Sequence, residues 1–499
     1  MAATKNDIPT STPNLVWLLL GLAVVAAVRL YGLQYVALPD YDSVRNWQIV
    51  QEIAHGNLRH LFHHGSPGFS FLYAPVAWIT TNFQVFQHLN ALLGVAALGV
   101  LMRFVAQEAR LVGWQLVLLT VFTGTSVFLT FSGRDFTMSS GSLLCFAGLV
   151  QAHYRRLQHP SRQALLRTTG WLVAGLCLNY KFILTIPILA VLELWHGDGL
   201  LWNPGTLGRI ALLLLAPYIV LGIVGVLAGL PWYLWPAVYY KVAFPDVANA
   251  AGRATTFRLD GLYYPRYLRD FESPALWPGL LLGLLGLRRW LPKWRTLLPI
   301  QGYLAVWATC LVLGMSLLLK APRGLLWAYP LFYTLAFLGL RRLPTWAFGS
   351  VVAVAIAWNT YRLQQEIFDY APTRYPQVAA WLQAHGGARV ASTVSLGLAP
   401  FLPATDTVLA ITDEKQLATL RRRGFRYVLL DGYWRVTGIA RFDSLQQQRP
   451  VAAWPEPLLT APLLFLEHSE YTGLGYLETI KRQQIARQDS LQLRLFVLP

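Results

Sequence analysis

Charge is scarce in this chain: Asp, Glu, Lys and Arg make up 13% of its 499 residues, against about a quarter in an ordinary soluble domain. That shortage excludes a soluble globular fold for most of its length. Cysteine is scarcer still. Cys145, Cys177 and Cys310 all fall inside apolar segments and lack metal-type spacing, which leaves them as packing residues. Acidic residues number 24 against 41 basic ones, a formal charge of +17. In a soluble protein that excess would raise nucleic acid as a partner. Here the cations flank apolar runs, where they read as topology signals and contacts to membrane lipids, so no nucleic acid is expected. Strict apolar/polar alternation is missing, which excludes a membrane β-barrel. No small-residue cleavage site follows the run from Leu15 to Val28, so that segment is expected to stay as an anchor.

What is abundant is hydrophobic: 55% of the residues, with a mean hydropathy of +0.42. Repeated apolar stretches approach the roughly 20 residues a helix needs to cross the hydrocarbon core. The candidate spans are 14–33, 84–103, 113–132, 136–154, 167–180, 182–196, 207–230, 274–288, 297–319, 324–340 and 345–362. The chain is thus expected to be a polytopic α-helical membrane protein with about 11 transmembrane helices. Arg103 and Arg110, then Arg155, Arg156, Arg162 and Arg167, then Arg288, Arg289, Lys293 and Arg295, then Arg341 and Arg342 fall in every second connection, as cytoplasmic loops should. The N-terminus is therefore expected inside. The outer side then receives 34–83, the Arg134-Asp135 turn, Lys181, the loop 231–273, the turn from Lys320 to Arg323, and everything after about 363. The apolar stretch from Phe69 to Thr80 is short for a span and reads as an interfacial or re-entrant helix.

Beyond about residue 363 the composition shifts. Trp381 to Val390 reads as a helix ending at Gly386-Gly387 before a strand, Asp413 to Arg423 as a helix, and Phe425 to Gly432 as a strand closed by a turn. A small α/β domain over 363–499 is expected. It contains no phosphate-binding glycine loop and no nucleophile motif.

Candidate chemistry gathers on the outer side. Asp40 and Asp42 follow the first span directly, and Asp135 lies in another outer turn. Ionisable groups at membrane depth are functional candidates, whereas at an interface an Asp can simply be solvated. Lys181 lies between two apolar runs with almost no loop; it can hold an anion or merely snorkel. Lys320 and Arg323 flank Ala321-Pro322, a geometry suited to a lipid phosphate or to headgroup anchoring. His63 and His64, beside Ser66-Pro67, could join the aspartates around a metal ion. Tyr263 and Tyr264 belong to an aromatic loop that suits a sugar face or prenyl chain, but equally a membrane interface belt.

The order of these features, over roughly residues 14–362, resembles the GT-C membrane glycosyltransferases. It is most similar to the protein O-mannosyltransferase and lipid A aminoarabinose transferase superfamily. Asp42-Ser43-Val44-Arg45 fits the frame of the family's first outer acidic loop, with Ser43 in place of the usual second acid. Arg134-Asp135 resembles the second outer acidic site, Gly175 to Lys181 the family's Gly-Leu-Ala-x-x-x-Lys element, and Lys320 to Pro330 its basic, proline-containing segment. The resemblance implies a GT-C-like catalytic domain over 1–362 and an extracytoplasmic α/β domain over 363–499, in a bacterial inner membrane with the tail periplasmic. It further implies a hexosyl- or pentosyltransferase that takes a polyprenyl-phosphate sugar donor and a lipid, glycan or protein acceptor. Asp42 would be the base, and Lys181, Arg323, Lys320 and Arg45 the donor-phosphate contacts. Asp135 would orient the acceptor or, with Asp42 and His64, hold a divalent metal ion. The competing reading is a transporter or flippase of a lipid-linked or amphipathic solute. It would place polar residues mid-span and broken helices in paired repeats, and the sequence has few of the former and none of the latter.

Overall fold

The computed structural model describes residues 12–243, 260–287, 298–318, 320–387, 389–393, 396–403, 405–432, 436, 442–488 and 492–498. The basic cluster from Arg288 to Arg295 and residues 244–259 of the aromatic loop lie outside the described residues.

The apolar runs fold as helices close to where the sequence places them. In chain order these are α1 (Thr12–Leu30), α2 (Tyr41–Ala54), α3 (Pro67–Ala77), α4 (Phe83–Glu108), α5 (Gly113–Gly124) and α6 (Val127–Gly133). There follow α7 (Ser139–Gln158), α8 (Arg162–Leu178), α9 (Thr185–His196), α10 (Pro204–Leu227), α11 (Leu234–Ala243) and α12 (Tyr263–Phe271). The helical part closes with α13 (Leu276–Leu287), α14 (Ile300–Ser316), α15 (Ala328–Leu340) and α16 (Thr345–Glu366). Among the described residues, α1, α4 and α10 are long and apolar enough to cross a membrane, and α5 with α6 would make a fourth span if the pair counts as one. The other expected spans correspond to helices that are shorter or less apolar.

Packing explains the short ones. Every residue of α15 is buried, and Gly339 of that helix lies so close to α13 that an added Cβ would stand 2.0 Å from the Gly279 carbonyl. Small residues let two apolar helices approach at backbone distance. By contrast, α10 buries only 6% of its apolar window and presents its surface outward.

One break positions the site. Between α5 and α6 the chain bends by 69°. The freed N–H groups of Val127 and Phe128 donate to the Glu272 carboxylate at 3.2 and 3.0 Å, and Tyr333 donates to the same group at 2.7 Å. An acid that accepts the orphan donors of a helix start is a cap. The short α6 is thereby aimed at the Arg134-Asp135 turn.

The tail carries α17 (Tyr375–Ala384), α18 (Leu417–Arg422) and a sheet of order β2-β1-β3-β5-β4. Its strands are β1 (Arg389–Ser392), β2 (Thr407–Ala410), β3 (Tyr427–Leu430), β4 (Ala452–Pro455) and β5 (Gln492–Val497). β1 runs parallel to β2 and β3, and β5 antiparallel to β3 and β4. Period-2 alternation divides its core. Val390, Tyr427, Leu429, Leu493 and Leu495 pack with α17 on one face, while Ala391, Val428, Leu430 and Phe496 pack with Leu417 and Leu420 of α18 on the other.

Candidate active site

Asp40 begins the site. Its backbone is extended and its Oδ1 accepts the Ser43 N–H at 3.0 Å, the bond of an N-cap. The cap fixes the start of α2, so that Asp42 falls in the first turn, where the partial positive end of the helix favours an ionised carboxylate. His64 faces it, with Nε2 3.1 Å from Asp42 Oδ1. The His64 backbone occupies the left-handed region, φ 51°. This conformation is costly for a residue with a Cβ, and strain of this kind gathers at functional sites. The turn continues through Gly65, whose carbonyl accepts from Trp235 Nε1 at 3.2 Å.

The second acid is held from below. Phe136 packs edge-on against Tyr73 at 4.9 Å and Phe86 at 5.5 Å, and Asn90 Nδ2 donates to the Asp135 carbonyl at 2.6 Å. Arg134 turns the other way and donates to the carbonyls of Arg29 and Tyr31 at 2.9 and 2.6 Å. Of the pair, Asp135 lines the cavity and Arg134 does not. Lys181 lies in the 3-10 turn Tyr180–Leu184 between α8 and α9, capped by Asn179, whose Oδ1 accepts the Lys181 N–H at 3.0 Å.

Arg323 lies in the 3-10 turn Pro322–Leu325 ahead of α15. Its N–H donates to Glu467 Oε1 at 2.8 Å, its Nε is 3.9 Å from Glu467 Oε2, and its Nη2 pairs with Glu470. Both acids come from the C-terminal tail, from the short helices Pro462–Glu467 and Ser469–Thr472. His468 between them places Nε2 3.5 Å from Asp40 Oδ2. Ser469 Oγ is bonded to the Lys320 carbonyl at 2.6 Å and to Tyr263 Oη at 2.9 Å.

These residues enclose one cavity of about 230 Å³, lined by Asp40, Asp42, His64, Asp135, Lys181, Arg323, Glu467, His468 and Glu470 among others. A second cavity, about 60 Å³, shares Ser139, Asn179, Lys181 and Arg323 with the first and is otherwise bordered by Gly324 and by Leu184, Leu311, Met315, Leu326 and Trp327. The two cations thus stand between a polar chamber and an apolar slot.

Charge in the chamber is uneven. Burial alone would raise the Asp42 pKa, but the charge and hydrogen bond of His64, with Arg323 and His63, hold it well below the usual carboxylate range. Asp135 goes the other way: burial, reinforced by Asp40 and Asp42, pushes it well above. Glu467 is pushed up to about 7 by burial, against the pull of Arg323. Glu470 is lowered, because Arg323 and Lys181 outweigh its burial. Carboxyls driven apart in this way take different roles, one a proton acceptor and another a neutral acid.

Of the residues singled out from the sequence, Asp40, Asp42, His64, Asp135, Lys181 and Arg323 meet in the chamber. The others do not line it. Arg45 runs along α2 to Gln48 and Glu52 at 3.1 and 2.9 Å. Lys320 Nζ lies 3.5 Å from the Leu318 carbonyl. His63 stacks edge-on against His64 at 3.9 Å, and burial lowers its pKa to about 3. Tyr263 and Tyr264 are buried behind the Arg323 turn, the first holding the tail through Leu466 and Ser469. Among the described residues no three His, Cys, Asp or Glu side chains are grouped so as to hold a metal ion. Glu467, His468 and Glu470 were missed by sequence reasoning. Two acids and a histidine within four residues, directly after the apolar run Leu463 to Leu466, were the available signal.

No protein-family model and no curated sequence matches the chain. Among solved structures it is similar to ArnT from Cupriavidus metallidurans in the apo state, at 15% identity and a TM-score of 0.53, over 86% of this chain and 96% of that one. ArnT from the same organism bound to undecaprenyl phosphate is similar at 16% identity and a TM-score of 0.47, over 95% of this chain and 79% of that one. At such identities the likeness to the apo structure is one of fold, and the fold agrees with the resemblance read from the sequence.

Proposed function

We propose that this chain is a membrane glycosyltransferase that moves a sugar from a polyprenyl-phosphate donor to an acceptor at the outer face of the membrane. The observation that carries this reading is the position of Lys181 and Arg323, which line both the acidic chamber and the adjoining apolar slot. An amphipathic phosphate ester would fit that junction: the prenyl chain toward Leu311 and Trp327, the phosphate between the two cations, the sugar toward Asp42. The about 11 spans, the cytoplasmic N-terminus and the periplasmic tail of the sequence reading belong to this proposal.

The chemistry follows from the groups present. Asp42, kept ionised, takes the acceptor's O–H proton as the acceptor oxygen forms its bond to the anomeric carbon. The bond from that carbon to the phosphate oxygen breaks, and the departing phosphate keeps the electron pair. Lys181 and Arg323 stabilise the negative charge as it builds. One base and a good leaving group suit a single displacement with inversion, without the second nucleophilic carboxylate of a retaining enzyme. Asp135 would orient the acceptor, and a divalent ion at Asp42, Asp135 and His64 is not required by this scheme.

The test is consumption of substrate. Purified protein in detergent, given a panel of polyprenyl-phosphate sugars labelled in the sugar together with hydroxyl-bearing lipid, glycan and protein acceptors, should convert at least one donor to free polyprenyl phosphate and a glycosylated acceptor of inverted anomeric configuration. Movement of the intact lipid-linked sugar across proteoliposomes without cleavage would favour the flippase reading instead.

A further inference from the structure

Ser43 stands between two carboxyl groups. Its Oγ lies 2.7 Å from Asp40 Oδ1 and 2.9 Å from Asp135 Oδ2. A hydroxyl has one proton and donates once. If both carboxyls were ionised, one contact would set lone pair against lone pair in a site where an unsatisfied polar atom is expensive. A second proton must therefore lie on one of the two acids.

Their other partners decide which. Asp40 Oδ1 also accepts the Ser43 N–H of the helix cap, and its Oδ2 faces His468 Nε2 at 3.5 Å. Both contacts favour the ionised form. Asp135 Oδ1 accepts the Phe136 N–H at 2.7 Å, while its Oδ2 meets no donor but Ser43 among the described residues. The charges that act on it are Asp40 and Asp42 at the N-terminal end of α2; Lys181 and Arg323, which line the same chamber, act on Glu470, and the neighbouring Arg134 is spent on the Arg29 and Tyr31 carbonyls. From α4 it receives only the Asn90 amide, which goes to its carbonyl. The tail brings His468 to Asp40.

We infer that Asp135 is held as a neutral carboxylic acid whose Oδ2–H donates to Ser43 Oγ, with Ser43 donating in turn to Asp40 Oδ1. Ser43 is then a positioning residue: it sets the direction of the Asp135 to Asp40 bonds at the point where the related family carries a second acid. The upward shift of Asp135 by burial and by its two acidic neighbours agrees with this geometry. The consequence deepens the glycosyl-transfer reading and rests on it. A neutral Asp135 cannot take the acceptor's proton, so base catalysis falls to Asp42, and Asp135 offers the bound sugar or acceptor an uncharged hydrogen-bonding group.

Infrared spectra of the purified full-length protein test the proton's place without any substrate, so a failed transfer assay and a failed inference are told apart. Asp135→Asn keeps both bonds, its amide donating to Ser43 and its carbonyl accepting from Phe136 N–H. At neutral pH, the wild-type minus Asp135→Asn difference spectrum should contain a protonated-carboxyl C=O band that shifts in D2O. Ser43→Ala should move that band to higher frequency, because the acid loses its acceptor. A difference spectrum with only carboxylate bands would overturn the inference. A band unmoved by Ser43→Ala would overturn the role of Ser43.

Discussion

Arg323 of the helical bundle is paired with Glu470 of the C-terminal tail, 147 residues further along the chain. A cation proposed to hold a phosphate is thus compensated by two acids, Glu470 and Glu467, before any donor arrives. A phosphate entering between Lys181 and Arg323 has to displace one of these carboxylates or share the guanidinium with it.

That competition is measurable. Glu470→Gln should lower the donor KM about fivefold, the equivalent of about 1 kcal/mol for a partly exposed pair, with the acceptor KM unchanged. A higher donor KM would mean that Glu470 sets Arg323 in its working orientation.

Lys181→Ala should act in the opposite sense. Loss of a phosphate cation weakens donor binding first, so the donor KM should rise at least tenfold while the acceptor KM stays within about twofold. Unchanged donor kinetics would mark Lys181 as a lysine that only snorkels at a helix end.

His64 holds Asp42 in its ionised form, so it sets the acid limit of the reaction. A base works above its pKa, and the limb of kcat/KM against pH reports that group in the free enzyme. In the wild type the limb should lie below the usual carboxylate range. With His64→Ala the opposing effect of burial gains, and the limb should move toward neutrality by about one pH unit. A limb that does not move would detach His64 from Asp42.

Glu467 ties tail docking to pH. Its folded-state pKa, about 7, stands above the ordinary 4.5, so the folded state binds more protons in between. Stability from this group is full below about 4.5 and is lost as pH rises to about 7, by at most about 3 kcal/mol. The melting temperature in detergent should fall between pH 5 and pH 8, and Glu467→Gln should shrink that fall. An equal fall in both proteins would place the sensitivity elsewhere.

Much of the fold was legible because apolar runs in a bilayer have few options. The break at Lys181, the acidic pair Asp40-Asp42 and the Arg134-Asp135 turn are local features, and local chemistry decides them. The strands at Val390 and Tyr427 were legible from alternation and from Gly386 and Gly432, which take positive φ. What eluded the sequence was long-range. Nothing near Glu467 or Glu470 signals Arg323, and a tail read as a separate domain gave no reason to search it for counterions. Arg45 shows the converse: three residues from Asp42 it looked like a partner of the site, but Glu52, two turns further along α2, holds its guanidinium. Several expected spans are also shorter than a bilayer requires by length alone, since buried helices such as α15 are held by their neighbours and not by lipid.

Asp42→Asn addresses the central claim most directly. The substitution keeps the size and the polar contact to His64 but removes the charge that takes the acceptor's proton. Measured as product formed from the labelled donor identified in the substrate panel, the variant should lose at least a thousandfold in kcat, with unchanged membrane insertion and donor binding. Turnover within tenfold of the wild type would contradict Asp42 as the base.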